Sequence, residues 1–293
     1  MEQEIDKKEQ IEKSLQKKFH KTIFTKFCKA INDFDMVAPN DKIAVCISGG
    51  KDSMLLAKLF QALKKHNKIP FELVFLCMDP GYNKQNRLLI EDNAKLMGIP
   101  LTIFETNIFE NVLHIDKYPC YICARMRRGH LYAKAKELGC NKIALGHHFD
   151  DVIETTLMSM LYGGQIETMM PKLHSDNFEP VELIRPMIYV REKDIKHWRD
   201  YNELHFLQCA CKFTEDVAKQ NYDEKEEISK RKKVKELIAT LAKQNPQIEA
   251  NIFRSTQNVN LAKIVEYKDK DGKRHNFLDD YDKKKKITKQ KNL

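Results

Sequence analysis

Lys42–Ile47, KIAVCI, runs directly into Ser48–Ser53, SGGKDS. The first run is short, apolar and rich in β-branched residues, which predicts a buried β-strand. A helix is predicted over residues 52–66, where apolar side chains recur at helical spacing: Met54, Leu55, Leu59 and Leu63. The chain therefore passes from a strand to a helix through a short loop that contains two glycines.

This loop has the composition of a phosphate-binding site. Two glycines let the backbone turn tightly and approach a ligand without interference from a Cβ atom. The start of the helix offers free N–H groups to an anion. Hydroxyl groups and a lysine add further donors, and Asp52 can also cap the helix. The nucleotide-binding residues predicted here are Ser48, Gly49, Gly50, Lys51, Asp52 and Ser53. Neither the GxxxxGK[ST] nor the GxGxxG pattern is present.

Strands and helices alternate from residue 42 to 185, which predicts a doubly wound parallel α/β sheet with ligands beyond the carboxyl ends of its strands. Further strands are predicted at 72–78, 101–104, 142–145 and 181–185, with helices at 84–97, 124–138 and 151–162 between them. Four segments follow from this pattern: an N-terminal helical segment (1–40), a nucleotide-binding domain (41–190), a C-terminal helical region (191–265) and a basic, flexible tail (266–293). In the first segment, an apolar stripe at helical spacing predicts one helix over 7–33: Ile11, Leu15, Phe19, Ile23, Phe27 and Ile31.

Composition limits the classes of function. The chain has 293 residues, 42% of them hydrophobic and 32% charged, as in globular proteins, and it contains no apolar run long enough for a membrane span. The N-terminus has no apolar signal core, so a cytoplasmic location is expected. Six lysines near the C-terminus leave the rest of the chain with a net charge of +9 − 6 = +3. Charge therefore permits a nucleic-acid partner without establishing one.

Cysteines occur in two close pairs, Cys120-x-x-Cys123 and Cys209-x-Cys211. The first pair precedes a predicted helix, and a helix N-terminus favours the thiolate form that binds metals. A structural Cys₄ zinc site and an iron–sulfur cluster are both compatible with these residues. Other cysteines lie inside predicted strands or a helix and are interpreted as core: Cys28, Cys46 and Cys77.

Two further groups of polar residues belong to the predicted site. Arg125, Arg127 and Arg128 follow the CxxC pair on its helix and need anions to offset their charge. Gly146–Asp151, GHHFDD, follows the fourth predicted strand and starts a helix, as the first loop does. Because both loops leave the same sheet edge, we expect imidazole and carboxylate groups beside the phosphates, where carboxylates can hold magnesium or take a proton.

SGGKDS after an apolar strand resembles the signature loop of the PP-loop ATP pyrophosphatases, whose fold is also called adenine nucleotide alpha hydrolase-like. PCxxCxxxRRG, GHHxDD followed by LYGG, RPMIYVREKDI and STQNV occur in this order over roughly residues 14–265. Together they resemble the TtcA-type tRNA 2-thiocytidine synthetases. The resemblance implies ATP, Mg²⁺ and a [4Fe–4S] cluster as cofactors, tRNA as substrate, and a persulfide from a cysteine desulfurase or inorganic sulfide as sulfur donor.

The implied reaction adenylates the C2 oxygen of cytidine 32, releases pyrophosphate, and replaces AMP with sulfur carried on the open iron of the cluster. The implied cluster ligands are Cys120, Cys123 and one of Cys209 and Cys211, with Cys211 favoured because it falls where the second cysteine of the family's CxxC lies. The candidate catalytic residues are Lys51, Asp52, Arg127, Asp150 and Asp151, and Gly146 and His147 complete the nucleotide site. A 2-thiouridine or lysidine-type enzyme with a structural Cys₄ zinc site stays open as an alternative function. A homodimer stays open as the oligomeric state.

Overall fold

The computed structural model describes residues 7–66, 69–112, 119–175, 177–207 and 222–281, without the side chains of 119–121, 222–229 and 280. Its central sheet has six strands within these residues, in the order β3-β2-β1-β4-β6-β5. All neighbouring strands are parallel except β5, which pairs antiparallel with β6 at one edge. This confirms the predicted doubly wound α/β fold.

The predicted strands are found where the apolar runs placed them, and every strand end agrees to within one residue. They are β1 Lys42–Ile47, β2 Glu72–Asp79, β3 Leu101–Glu105, β4 Lys142–Ala144 and β6 Glu182–Ile184. The sequence analysis missed β5, Lys172–His174. This edge strand is three residues long and two of these residues are exposed, so it lacks the apolar run that marks a buried strand.

The N-terminal segment was expected to be one helix over 7–33, and it is interrupted instead. Helix α1 spans Lys7–Gln16, a π-helical turn spans His20–Phe24, and α2 spans Thr25–Asp33. The extra residue in the π-turn rotates the apolar face of the segment. All six apolar residues of the predicted stripe are still buried: Ile11, Leu15, Phe19, Ile23, Phe27 and Ile31.

The helices that flank the sheet are α3 Lys51–His66, α4 Lys84–Met97, α5 Ile108–Val112, α6 Pro119–Glu137 and α7 Phe149–Gly163. The C-terminal region adds α8 Glu192–Tyr201, α9 Tyr222–Gln244, α10 Ile248–Ser255 and a 3₁₀ turn at Leu261–Lys263. Helices α9 and α10 pack on α7, with Val234, Ile238 and Phe253 buried in the main core.

The segment expected to be a flexible tail from residue 266 differs from that expectation. Strands β7, Glu266–Lys268, and β8, Arg274–Asn276, form an antiparallel β-hairpin, and α11 follows at Leu278–Tyr281. The lysine-rich residues 283–293 lie outside the described residues. Within the described residues, no helix is long and apolar enough to cross a membrane.

Candidate functional site

The first loop lies at the carboxyl end of β1 and needs glycine at its second position. Gly49 has a φ of 82°, in the left-handed region, and a Cβ there would lie 2.5 Å from Ile90 Cγ1. Glycine avoids both penalties because it has no Cβ. The loop can therefore follow its tight path against α4.

The hydroxyl group of Ser53 closes this loop. It accepts a hydrogen bond from the Ser48 N–H at 3.1 Å and donates to the Gly50 carbonyl oxygen at 2.9 Å. The Ser48 hydroxyl lies 3.2 Å from it and can turn towards a ligand. Ser53 therefore shapes the loop, while Ser48 remains the hydroxyl that can reach a phosphate.

The second loop packs directly against the first. A Cβ on Gly146 would lie 3.1 Å from the carbonyl carbon of Asp52 and 3.2 Å from the Ser53 nitrogen. Leu145 N–H and Phe149 N–H, on either side of this loop, donate to the carbonyl oxygens of Ile184 and Val190. The structure thus brings the two predicted loops together at the carboxyl edge of the sheet.

A cavity of about 310 Å³ lies between these loops and α6. Its polar lining residues are Ser48, Asp52, Ser53, Arg127, Gly146, His147 and Asp151. Its apolar lining residues are Cys46, Ile47, Met78, Leu131 and Leu145. A lining that combines polar groups with apolar side chains suits a nucleotide, whose phosphates and base need different surroundings.

The two histidines of the second loop have different environments. His148 caps α7. Its ring Nδ1 accepts a hydrogen bond from the Asp151 backbone N–H at 3.4 Å, and its backbone N–H donates to Asp151 Oδ2 at 2.9 Å. His147 lines the cavity, and its buried Nδ1 has no hydrogen-bond partner among the described residues. Burial, assisted by the charge of Arg185, lowers the pKa of His147 to about 4. His147 is therefore neutral at pH 7 and offers one free ring nitrogen to a ligand.

The carboxylates of the site are not equally available for a metal ion. Asp150 accepts from Arg191 Nη2 at 3.1 Å and from the Glu192 N–H at 2.7 Å, so both its oxygens hold the start of α8. Asp52 Oδ1 is buried and has no hydrogen-bond partner in the described part of the chain, and Asp151 Oδ1 lies 3.9 Å from Arg231. Mg²⁺ is usually held by one or two carboxylates together with substrate phosphates. Asp52 and Asp151 fit that role better than Asp150.

The start of α6 provides a thiol beside the cavity. Cys123 is 9% exposed and packs with Met78, Ile108 and Phe109, and Met78 also lines the cavity. A thiol near a helix start is a suitable iron or zinc ligand, because the positive end of the helix dipole favours the thiolate. The side chain of Cys120 and all of Cys209 and Cys211 lie outside the described residues. No group of three His, Cys, Asp or Glu residues that could hold a metal occurs within the described part of the chain.

The three cysteines that the sequence analysis assigned to the core lie in apolar surroundings. Burial raises the pKa of Cys46 to about 12 and that of Cys77 to about 11, and it also raises the pKa of Cys28. Thiols with raised pKa values stay protonated and are poor nucleophiles or metal ligands at neutral pH. These three residues are therefore packing residues.

The sequence analysis missed Arg191 and Glu192 as parts of this region. Arg191 bonds Asp150 and, at 2.5 Å, Glu249 of α10, while its guanidinium carbon lies 4.9 Å from the centre of the Phe149 ring. Glu192 Oε1 lies 3.4 Å from Lys51 Nζ. A usable signal exists: the segment RPMIYVRE follows the last parallel strand, which ends at the same sheet edge as the two loops.

Comparisons with known proteins agree with this geometry. A family model described as a PP-loop domain matches residues 14–216. A tRNA-cytidine(32) 2-sulfurtransferase from Neisseria meningitidis is 42% identical over 186 residues, which cover 61% of this chain and 57% of the relative. The chain therefore spans little more than half the length of that relative. The corresponding protein from Syntrophotalea carbinolica is 35% identical over 83% of this chain and 91% of its own length.

Among solved structures, the chain is similar to the U34-tRNA thiolase NcsA from Methanococcus maripaludis, determined with its [4Fe–4S] cluster. The TM-score is 0.61 at 22% identity, covering 80% of this chain and 76% of that chain. At this identity the similarity supports the shared fold.

Proposed function

The chain belongs to the PP-loop family, with the tRNA-cytidine(32) 2-sulfurtransferases as its relatives, and from this membership we propose that it is an ATP-dependent tRNA thiolase. One observation carries the proposal most directly. The cavity bounded by the phosphate loop is also bounded by Arg127 of α6 and by Met78, which belongs to the same buried apolar cluster as Cys123. A site for ATP and a metal-binding thiol are thus neighbours, as a sulfur transfer to an adenylated base requires.

The chain's own residues have distinct tasks in the proposed adenylation. The C2 oxygen of cytidine 32 attacks the α-phosphorus of ATP, and the bond to the pyrophosphate oxygen breaks. Backbone N–H groups of 49–53 and the Lys51 ammonium stabilise the charge that gathers on pyrophosphate as it leaves. Asp52 and Asp151 would hold Mg²⁺, which would supply charge neutralisation for the phosphates. His147, neutral and facing the cavity, provides a nitrogen for the nucleotide.

Cys120, Cys123 and Cys211 are the proposed ligands of a [4Fe–4S] cluster, with Cys209 as a bystander. When bound, the cluster would supply a soft iron site at which sulfur for the activated base can be held. Arg127, on the same helix as Cys123 and in the cavity wall, is placed to contact the nucleotide phosphates or the RNA. We further propose a cysteine-desulfurase persulfide or inorganic sulfide as the sulfur donor. Cytoplasmic action on tRNA and a homodimeric state belong to the same proposal.

Mass analysis of tRNA nucleosides from cells that lack the protein tests the proposed function. We expect 2-thiocytidine to disappear and to return with the wild-type gene but not with a Lys51→Ala variant. Unchanged 2-thiocytidine would overturn the assignment. Purification without oxygen distinguishes an iron–sulfur cluster from a zinc site. An iron–sulfur chromophore supports thiolation, whereas colourless protein with bound zinc supports the alternative enzyme with a structural Cys₄ site.

A further inference from the structure

Glu192 connects the phosphate loop to the C-terminal helices, although it follows that loop by about 140 residues in the chain. Its Oε1 lies 3.4 Å from Lys51 Nζ and 3.1 Å from Lys196 Nζ, and its Oε2 lies 2.7 Å from Lys235 Nζ. Its backbone N–H is bonded to Asp150 of the second loop. One residue therefore contacts both strand-end loops and α9.

The carboxylate of Glu192 is held as an anion. Its side chain is 15% exposed, and burial alone would raise its pKa, but the bonds from Lys235 and Lys196 and the charge of Lys51 lower its pKa to about 2. Neighbouring cations favour the charged form of a carboxyl group. Lys51 thus faces a permanent negative charge at neutral pH.

Lys51 is held between two carboxylates in this structure. Its Nζ lies 3.0 Å from Asp52 Oδ2 on one side and 3.4 Å from Glu192 Oε1 on the other. An ammonium group has three N–H donors, so one remains for a phosphate. An entering triphosphate competes with Glu192 for this lysine.

We propose that Glu192 is a positioning residue for Lys51, which it aims at the leaving pyrophosphate while it competes with ATP in the ground state. The inference rests on the proposed function, because it assumes that ATP is cleaved at this loop. The lysine contact is worth most in the transition state, when pyrophosphate carries the most charge. A carboxylate that fixes the lysine therefore favours turnover over tight ATP binding.

The test is a Glu192→Gln variant, measured for ATP affinity by calorimetry and for tRNA-dependent pyrophosphate release. We expect ATP to bind about fivefold more tightly and turnover to fall about tenfold, because the variant loses the interaction between the Glu192 carboxylate and the Lys51 ammonium group. A purely structural role would lower the active fraction and leave the KM for ATP unchanged. Glu192→Asp should restore part of both values. Asp194→Asn is the matched control: it removes the same charge from the same turn of α8, but its carboxylate lies 3.5 Å from Lys26.

A double-mutant cycle shows whether the effect passes through Lys51. In a Lys51→Ala background, Glu192→Gln should change ATP affinity less than twofold. An equal tightening in both backgrounds would overturn the positioning role. So would a variant that binds metal-free ATP normally but MgATP weakly, because Glu192 would then be a metal ligand.

A second variant covers the case in which Glu192→Gln does not fold. Lys235→Gln removes the closest partner of Glu192, so the carboxylate should draw Lys51 more strongly and ATP should bind more weakly. Unchanged affinity in this variant would overturn the inference. If instead the wild-type protein releases no pyrophosphate from ATP in the presence of tRNA, the proposed function itself fails.

Discussion

Gly146 lies directly against the backbone of Asp52, so the two strand-end loops touch without a side chain between them. All three atoms nearest to a Cβ at Gly146 are backbone atoms of residues 52 and 53, at 3.1–3.3 Å. Backbone atoms in a loop held by the Ser53 hydroxyl cannot shift as a flexible side chain can. The position of the phosphate loop thus depends on a residue almost a hundred positions later in the chain.

A Gly146→Ala variant should therefore displace the phosphate loop. Overpacking of this kind costs about 1–3 kcal/mol, and we expect ATP affinity to fall about tenfold or more. Calorimetric titration with ATP measures the effect. Gly129→Ala is a suitable control, because a Cβ there meets nothing within 4 Å and alanine favours the helix. Equal ATP affinity in both variants would contradict the close contact.

The cysteines should fall into two classes. Cys120→Ala, Cys123→Ala and Cys211→Ala are expected to lose both the iron–sulfur chromophore and thiolation, whereas Cys209→Ala should keep both. Cys140→Ala is the control for an unrelated buried thiol, since Cys140 is 3% exposed and packs in a separate apolar cluster. Absorption spectra and iron content are the measurements. Loss of the chromophore in Cys209→Ala with retention in Cys211→Ala would exchange their roles.

His147 should make the protein sensitive to mild acid. Its folded pKa of about 4 lies below the ordinary value of 6.5, so the unfolded chain takes up a proton first as the pH falls. Above pH 6.5, His147 has little effect on the pH dependence of the free energy of unfolding. Between pH 7.5 and 5, this free energy falls by about 2 kcal/mol because only the unfolded chain binds the proton. Urea unfolding at the two pH values should show a smaller loss in His147→Gln. The exposed His174→Gln should behave as the wild type, and equal losses in all three proteins would exclude His147 as the cause.

Helix α9 should contact the tRNA backbone. Lys232 and Lys233 are exposed on the helix whose Lys235 and Arg231 lie beside Glu192 and Asp151. Replacing both with Gln should weaken tRNA binding and make its salt dependence shallower by about 1.5 units of log–log slope. Lys64 and Lys65, at the far end of α3 from the phosphate loop, give a control with the same charge change. An equal loss in both pairs would indicate a general charge effect instead of a surface on α9.

Deleting residues 283–293 should also weaken tRNA binding, because six lysines are removed. Turnover at saturating tRNA should remain, since none of the residues assigned to the ATP site lies in this segment. Binding at several salt concentrations measures the change. A salt dependence identical to that of the full chain would show that these lysines do not contact RNA.

Local sequence was sufficient for the buried strands and for the phosphate loop. The runs KIAVCI and ELVFLCM are apolar on both faces and end in turn residues, so strand type and position follow from short-range pattern. The six residues SGGKDS carry their chemistry in their own backbone and side chains, and the structure places them at the expected sheet edge. The fold class follows from the alternation of such elements.

Partners distant in the chain could not be read from local pattern. The sequence indicates that Asp150 is a carboxylate of the site, yet in the structure it accepts hydrogen bonds from Arg191 and from the Glu192 N–H at the start of α8, while His148 caps α7. The same packing brings Lys235 and Lys51 to opposite sides of Glu192. Residue types set which groups can bind phosphate, metal or each other. Which of these bonds form depends on how helices far apart in the chain pack at the sheet edge, because a charged group there bonds to whichever partner the fold brings within reach.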